Sequence, residues 1–372
     1  MDERIPMFYP FVSEEAVGAA VEALKSRFVG QGPKVDEFEK ALKAKLETPY
    51  VVTVNSGTSA LRLALSIMGV GPGDEVISPA FTSQATNMPI LEQFAKPVFA
   101  DVKYESGAID PKDIEHRITP KTKGIIAVDW GGAPCDMDEI MRIAKAHRIS
   151  VIEDAAHSLG ARYKGKAVGA ISDFTAFSFQ AIKQLTTTDG GALTTANQAL
   201  YERAMSKRWY AIDKSKRKFS YLGNDPDFDI TEVGFKYNMT DVEANIGIAQ
   251  LKHLDELLAR RAAVAKRYME ELARVPQIEL FESRTDRVSA NWLFGLHVKK
   301  NRLGFAKKMY ESGIEVSIVN WRNDKYTAFG GMRKDLPNTD RLHEDYIAIP
   351  LHHRLSDDDV SRIIRTVKAS VS

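Results

Sequence analysis

Between residues 50 and 195 short β-type runs alternate with helical segments, and few architectures accept that order. The runs are 51–54, 75–78, 97–101, 124–128, 151–154, 174–178 and 192–195, each short and mostly apolar. Segments such as 59–68 and 137–147 lie between them, with apolar residues at helical spacing. Strands that are apolar on both faces need covering on both faces. The pattern therefore predicts an α/β fold with a largely parallel sheet between layers of helices. Ligands of such sheets collect beyond the carboxyl ends of the strands, where Asn55 and Asp154 stand.

A second unit follows. Residues 241–274 read as one long helix or two in close succession, with Ile248, Leu251, Leu254, Leu257 and Leu258 at helical spacing. This connector leads into a smaller C-terminal α/β domain with strands at 291–298 and 314–319 and helices at 303–313 and 357–369. The expected division is a large domain over 1–250 and a small one over 251–372. At 372 residues the chain has room for both. Residues 213–229 carry Lys214, Lys216, Arg217 and Lys218 ahead of Gly223-Asn224-Asp225-Pro226-Asp227. A polar loop and a flap over a site fit that stretch equally.

Composition excludes several classes. With 44% hydrophobic and 27% charged residues the chain reads as soluble and globular, and a net charge of +1 argues against broad electrostatic binding to nucleic acid or membranes. No run approaches the ~18 apolar residues of a membrane helix, and Met1 to Pro6 lacks the apolar core of a secretory signal. The single cysteine, Cys135, permits no internal disulfide, suits a cytoplasmic location and is expected to be structural. The eight histidines show no metal-site spacing, so no metal is expected. No G-x-G-x-x-G stands at a strand-to-helix junction, which disfavours a nicotinamide cofactor. His352-His353 reads as a surface pair, Gly190-Gly191 as a hairpin turn, and 320–324 as a surface turn that could alternatively contact substrate.

Three segments carry chemistry. Lys183 follows the β-type run that ends at Ser178 and precedes the turn Thr186-Thr187-Thr188-Asp189-Gly190-Gly191. A lysine amine for a Schiff base, with hydroxyl and amide donors for a phosphate, is what pyridoxal 5′-phosphate requires. In the second segment, Val151-Ile152-Glu153-Asp154-Ala155-Ala156-His157, a strand delivers a carboxylate to its end. The cofactor's pyridine nitrogen needs such an acid. Asp154 is the better candidate, because strand alternation turns Glu153 to the other face and His157 can reach the same site. The third, Val54-Asn55-Ser56-Gly57-Thr58, reads as strand, turn and helix start, and helix N-termini bind phosphate. Each segment has a plainer reading by itself: a surface lysine, a helix cap, an empty turn. Their combination does not.

Taken together the segments resemble the sugar-nucleotide aminotransferases of the DegT/StrS group, which are fold-type-I pyridoxal-phosphate enzymes. The resemblance runs through Gly32-Pro33, Phe38-Glu39, Ser56-Gly57-Thr58, Pro79-Ala80-Phe81-Thr82, Glu153 to His157, Ser178 to Lys183, Gly234 to Asp241, Ile246-Gly247 and Gln250-Leu251. It implies the type-I fold, with Lys183 as the Schiff-base lysine, Asp154 on the pyridinium nitrogen and His157 on the ring hydroxyl. It also implies a phosphate site of Ser56, Gly57, Thr58 and Ser178, with Asn238 reaching in from the second subunit of a homodimer. The implied reaction moves an amino group from L-glutamate to a keto-sugar nucleotide. The Lys183 to Gly191 segment resembles members acting at the sugar 4-position. A 3-keto sugar, a keto-cyclitol or a non-catalytic regulator on the same fold are the alternatives.

One position departs from the pattern. Many relatives place an aromatic after the Thr of Pro-x-x-Thr, where it stacks on the cofactor ring. Here Ser83 stands there, within the expected cofactor site. His157, Phe81 and Ala156 are then the candidate ring covers.

Overall fold

The computed structural model describes residues 4–213, 218–220, 223–225 and 229–371. Seven strands form the central sheet: β1 (Tyr50–Val54), β2 (Glu75–Pro79), β3 (Lys96–Ala100), β4 (Thr122–Val128), β5 (Ser150–Asp154), β6 (Phe174–Ser178) and β7 (Gly191–Thr195). They lie in the order β1-β7-β6-β5-β4-β2-β3. From β6 through β5, β4 and β2 to β3 the pairs are parallel, whereas β7 runs antiparallel to both neighbours. Every strand expected between 50 and 195 is present, with its ends shifted by at most two residues.

Period-two alternation sets which side chains meet which layer. Ile126, Val128 and Ile152 pack with Leu61, Leu63 and Ala64 of the helix Gly57–Ile67. Ile125, Ala127 and Val151 pack with Ile140 and Ile143 of the helix Met137–His147. Asp154 shares the parity of Ile152 and Glu153 that of Val151, so the two acids point to opposite faces. The helices Glu14–Lys25 and Pro33–Lys45 precede the sheet. In the second, buried Glu39 accepts from Thr53 N at 2.8 Å and pairs with buried Arg208, so Phe38-Glu39 is a core element beside β1.

The C-terminal layer is a sheet of Phe294–Val298 between Ile278–Leu280 and Tyr346–Ile349, all antiparallel. Leu254–Leu272 and Asp357–Ser370 pack on it through Val264, Tyr268, Val360, Ile363 and Val367. The connector is two helices, Asp241–Leu251 and Leu254–Leu272. Residues 314–319 depart from the expected strand. Ile314 bridges to Ile5 and Ser317 to Ala348 as isolated pairs with different partners, so no continuous ladder forms. Most of the basic stretch expected as a loop or flap lies outside the described residues. Lys218–Ser220 and Gly223–Asp225 within it pair antiparallel.

Three other expectations are corrected. His352 is buried, with Nε2 3.1 Å from the carbonyl of Pro6, so it is not a surface residue. Arg322, Asn323 and Asp324 are interior, not a surface turn. Gly190-Gly191 is no tight hairpin, since β6 and β7 are joined by residues 179–190, folded back by bonds such as Phe179 N to Gly190 O at 2.8 Å. Cys135 is buried, and its thiol donates to Val128 O at 3.0 Å.

The start of the helix Gly57–Ile67 lies flush against the ends of β6 and β7. A Cβ on Gly191 would sit 2.6 Å from Gly57 N and 2.7 Å from Phe177 O, both backbone atoms that cannot swing away. A Cβ on Gly57 would meet Ser178 Cβ at 2.9 Å. Gly191→Ala is therefore expected to cost ~1–3 kcal/mol through overpacking. The denaturant midpoint measures it, and an unchanged midpoint would show that the helix start can retreat.

Candidate active site

The ends of β1, β5 and β6 open into one cavity of about 380 Å³. Ser56, Gly57, Thr58, Ser83, Asp154, His157, Ser178 and Lys183 all line it. Asn238 does not. It is buried beside β1, bridged to Val54, with its side-chain oxygen accepting from Lys236 Nζ at 2.6 Å.

At one end, Ser56 caps the helix Gly57–Ile67, its hydroxyl accepting from Ser59 N at 3.1 Å. Gly57 and Thr58 begin that helix, where backbone amides lack intrahelical partners and the helix dipole favours an anion. Ser178, at the end of β6, faces Gly57 across the space that a Cβ would fill. Such an arrangement of free amides and a hydroxyl can hold a phosphate.

At the other end Asp154 is buried, and among the described residues its carboxylate accepts from Ala156 N at 3.2 Å and Thr86 Oγ1 at 2.8 Å. Burial raises its pKa, and Thr86, Ala156 N and the charge of Lys183 offset only part of that rise, so the carboxyl stays above its ordinary value. Lys183 keeps some surface, but its amine lies deep, and burial lowers its pKa to about 7 against the opposing pull of Asp154. Glu153 is buried on the opposite face, where burial and Asp129 push its carboxyl well above the usual range. Ser158 Oγ donates to Asp129 at 2.7 Å on that side.

Burial, with the nearby charge of Lys183, holds His157 neutral. Its ring stacks on Trp292 with centroids 3.7 Å apart, and Lys183 Nζ lies 3.7 Å from the centre of the same indole. Trp292 is anchored by Nε1 donating to Ile182 O at 2.9 Å. It enters from the segment ahead of Phe294–Val298, and nothing local in the sequence marks it. Trp292 is thus an aromatic wall of the cavity. Of the ring covers expected from the sequence, His157 and Ala156 line the cavity, but Phe81 packs in the core against Trp130 and Tyr346. Ser83 has a local role: it caps the helix Gln84–Glu92.

Thr86 carries no site signal in the sequence beyond falling one turn after Thr82, whereas Asn320 belongs to the 320–324 segment whose alternative reading is a substrate contact. Asn320 lines the cavity in a left-handed backbone conformation, φ +67°, with its amide nitrogen buried and without a partner among the described residues. Asparagine tolerates that conformation better than most residues.

An amine pushed toward neutrality by burial, a carboxylate on the same sheet edge and free amides at a helix start suit pyridoxal 5′-phosphate. The chain matches the DegT/DnrJ/EryC1/StrS aminotransferase family over residues 10–368. It belongs to that family. It is 35% identical to the spore coat polysaccharide biosynthesis protein SpsC of Bacillus subtilis, over 98% of this chain and 96% of that one. Sugar aminotransferase CalS13 from Micromonospora echinospora superposes with a TM-score of 0.93 at 32% identity, covering 98% of this chain and 99% of that one. Spr1654 from Streptococcus pneumoniae, assigned as a sugar aminotransferase and solved in its pyridoxamine-phosphate form, gives a TM-score of 0.92 at 31% identity, with 99% and 98% covered. The protein is a pyridoxal-phosphate-dependent sugar aminotransferase of fold type I.

The lowered amine pKa has a kinetic consequence. Only the neutral amine attacks an aldehyde, so capture of pyridoxal 5′-phosphate by the cofactor-free protein should speed up with pH and level off near 7. A free lysine would keep accelerating toward its ordinary value. Stopped-flow absorbance against a free-amine control measures this, and a rate still climbing above pH 9 would place the amine in solvent.

Proposed function

We propose that this enzyme transfers an amino group from L-glutamate to a keto-sugar nucleotide, a 4-keto-6-deoxy-hexose, making an amino sugar for a surface polysaccharide or a glycosylated metabolite. The observation that carries the reading is the Lys183 amine, buried against Trp292 and within the field of Asp154. When bound, pyridoxal 5′-phosphate supplies an electron sink for the carbanion at the donor α-carbon. The remaining work belongs to the chain. Lys183 Nζ takes the proton from the donor α-carbon and later returns one to the sugar carbon that receives the nitrogen. Asp154 keeps a proton on the ring nitrogen. Gly57 and Thr58 amides and the Ser178 hydroxyl hold the phosphate, and neutral His157 orients the ring hydroxyl. Asn320 and Val319 also line the cavity and are the proposed contacts for the acceptor.

The 4-keto acceptor rests on the Lys183 to Gly191 segment, and the polysaccharide destination is in keeping with SpsC. No described helix is long and apolar enough to cross a membrane. A cytoplasmic location, where nucleotide sugars are made, is part of the proposal, and nucleic acid has no part in it. Screening 4-keto and 3-keto sugar nucleotides and keto-cyclitols for glutamate-dependent formation of 2-oxoglutarate tests the acceptor. Turnover is expected only with a 4-keto nucleotide. Turnover with a 3-keto sugar or cyclitol instead would overturn the acceptor, and a purified chain that holds no cofactor would revive a regulatory role.

The active form is proposed to be a homodimer in which Asn238 completes the partner's site. Asn238 lies outside the cavity of its own chain, which supports that reading. Mixing Lys183→Ala chains with Asn238→Ala chains should restore some activity through hybrid sites, read as glutamate consumption. No gain over the separate variants, with heterodimers demonstrated, would argue for self-contained sites.

A further inference from the structure

The carboxylate of Asp154 is held by a hydroxyl chain whose direction can be deduced. Thr86 Oγ1 lies 2.8 Å from Asp154 Oδ2 and 2.9 Å from Thr82 Oγ1, and both threonines are buried. An ionised carboxylate only accepts, so the single hydroxyl proton of Thr86 goes to Asp154. Thr82 must then donate to Thr86. The bonds point one way, toward the carboxylate, and bonds aligned in that manner strengthen one another.

The chain is fixed from the C-terminal part of the protein. Asn323 Nδ2 donates to Thr82 O at 2.7 Å, and Asn323 N donates to Ala80 O at 2.7 Å. Asn87 Nδ2 donates to Asn323 Oδ1 at 2.8 Å and to Pro79 O at 3.1 Å. The fully buried pair Arg322–Asp324, 2.6 Å apart, brackets Asn323. Ser83 caps the same helix that carries Thr86. The loop after β2 is thereby tied at both ends.

We propose that Thr86, with Thr82 behind it, is a positioning residue that keeps Asp154 ionised and aimed at the cofactor's ring nitrogen. The inference rests on the reading that Asp154 is the ring partner. Without the Thr86 donor the carboxylate becomes a stronger base, and the shared proton moves from the ring nitrogen toward Asp154. The ring then withdraws electrons less strongly, and the bond to Lys183 holds its own proton to higher pH.

The readout is the pH at which the bound cofactor changes absorbance in the holoenzyme, alongside kcat. Thr86→Val, similar in shape but without the hydroxyl, should raise that midpoint by about one pH unit and lower kcat about tenfold, the scale of one hydrogen bond to a charged group. Thr86→Ser, which keeps the hydroxyl, should recover both. Asp154→Asn separates the two ideas. If it leaves the absorbance titration unmoved, Asp154 is not the ring partner, and the reading beneath the inference fails. If Asp154→Asn shifts the titration and fully loaded Thr86→Val does not, the inference about Thr86 is overturned. Should Thr86→Val fail to fold, Thr82→Val, which cuts the chain one step earlier, must shift the midpoint the same way by a smaller amount. An unmoved midpoint there overturns the inference equally.

Discussion

Everything at this site depends on placing an amine and a carboxylate together in a low-dielectric cavity at one sheet edge. Burial alone drives Lys183 toward neutrality and Asp154 toward protonation. Each charge partly reverses the other's shift, and the balance falls differently on the two groups. Among the described residues no hydrogen-bond partner of the Lys183 amine opposes its neutral form. Its amine rests on the face of Trp292 instead. Asp154 has Thr86 and Ala156 N, which stabilise the anion. The amine is thus pushed toward neutrality while the carboxylate keeps donors that oppose its protonation, both within one cavity. That combination suits a lysine that bonds to an aldehyde while a carboxylate faces a pyridinium nitrogen.

The scaffold serves this balance through close approach and long-range ties. Gly57 and Gly191 bring the helix start against β6 and β7, so its free amides reach the cavity with no side chain between. Residues far along the chain supply the walls. Trp292 stacks on His157, and Asn323 locks the loop that bears Thr82 and Thr86. The C-terminal part thus builds the site jointly with the central sheet. The aromatic surface absent at residue 83 is present in the cavity as Trp292, on the His157 side.

Much of this was readable before any coordinates. The central strands, the opposite facing of Glu153 and Asp154 and the gathering of Ser56, Gly57, Thr58, Ser178 and Lys183 near strand ends follow from local pattern. Alternation with period two and turn chemistry are short-range rules, and they act within a few residues. Where the reading failed, distant segments intervened. Residues 314–319 carry strand-like composition, yet Ile5 takes up part of their backbone pairing. His352 and Arg322 look like surface residues in isolation and are interior because the N-terminal segment and Asp324 satisfy them.

By itself the amino-acid sequence determined the succession of strands and helices, the placement of Asp154 and Lys183 near strand ends and the family to which the chain belongs. Each of these is written in contiguous residues whose chemistry has few uses in combination. Only the tertiary structure decided what surrounds them: the indole over His157, the hydroxyl chain behind Asp154 and the buried amide of Asn320. Those neighbours are separated from the site residues by long stretches of chain. Their contacts arise from packing between layers, and no local periodicity records which side chain will arrive there.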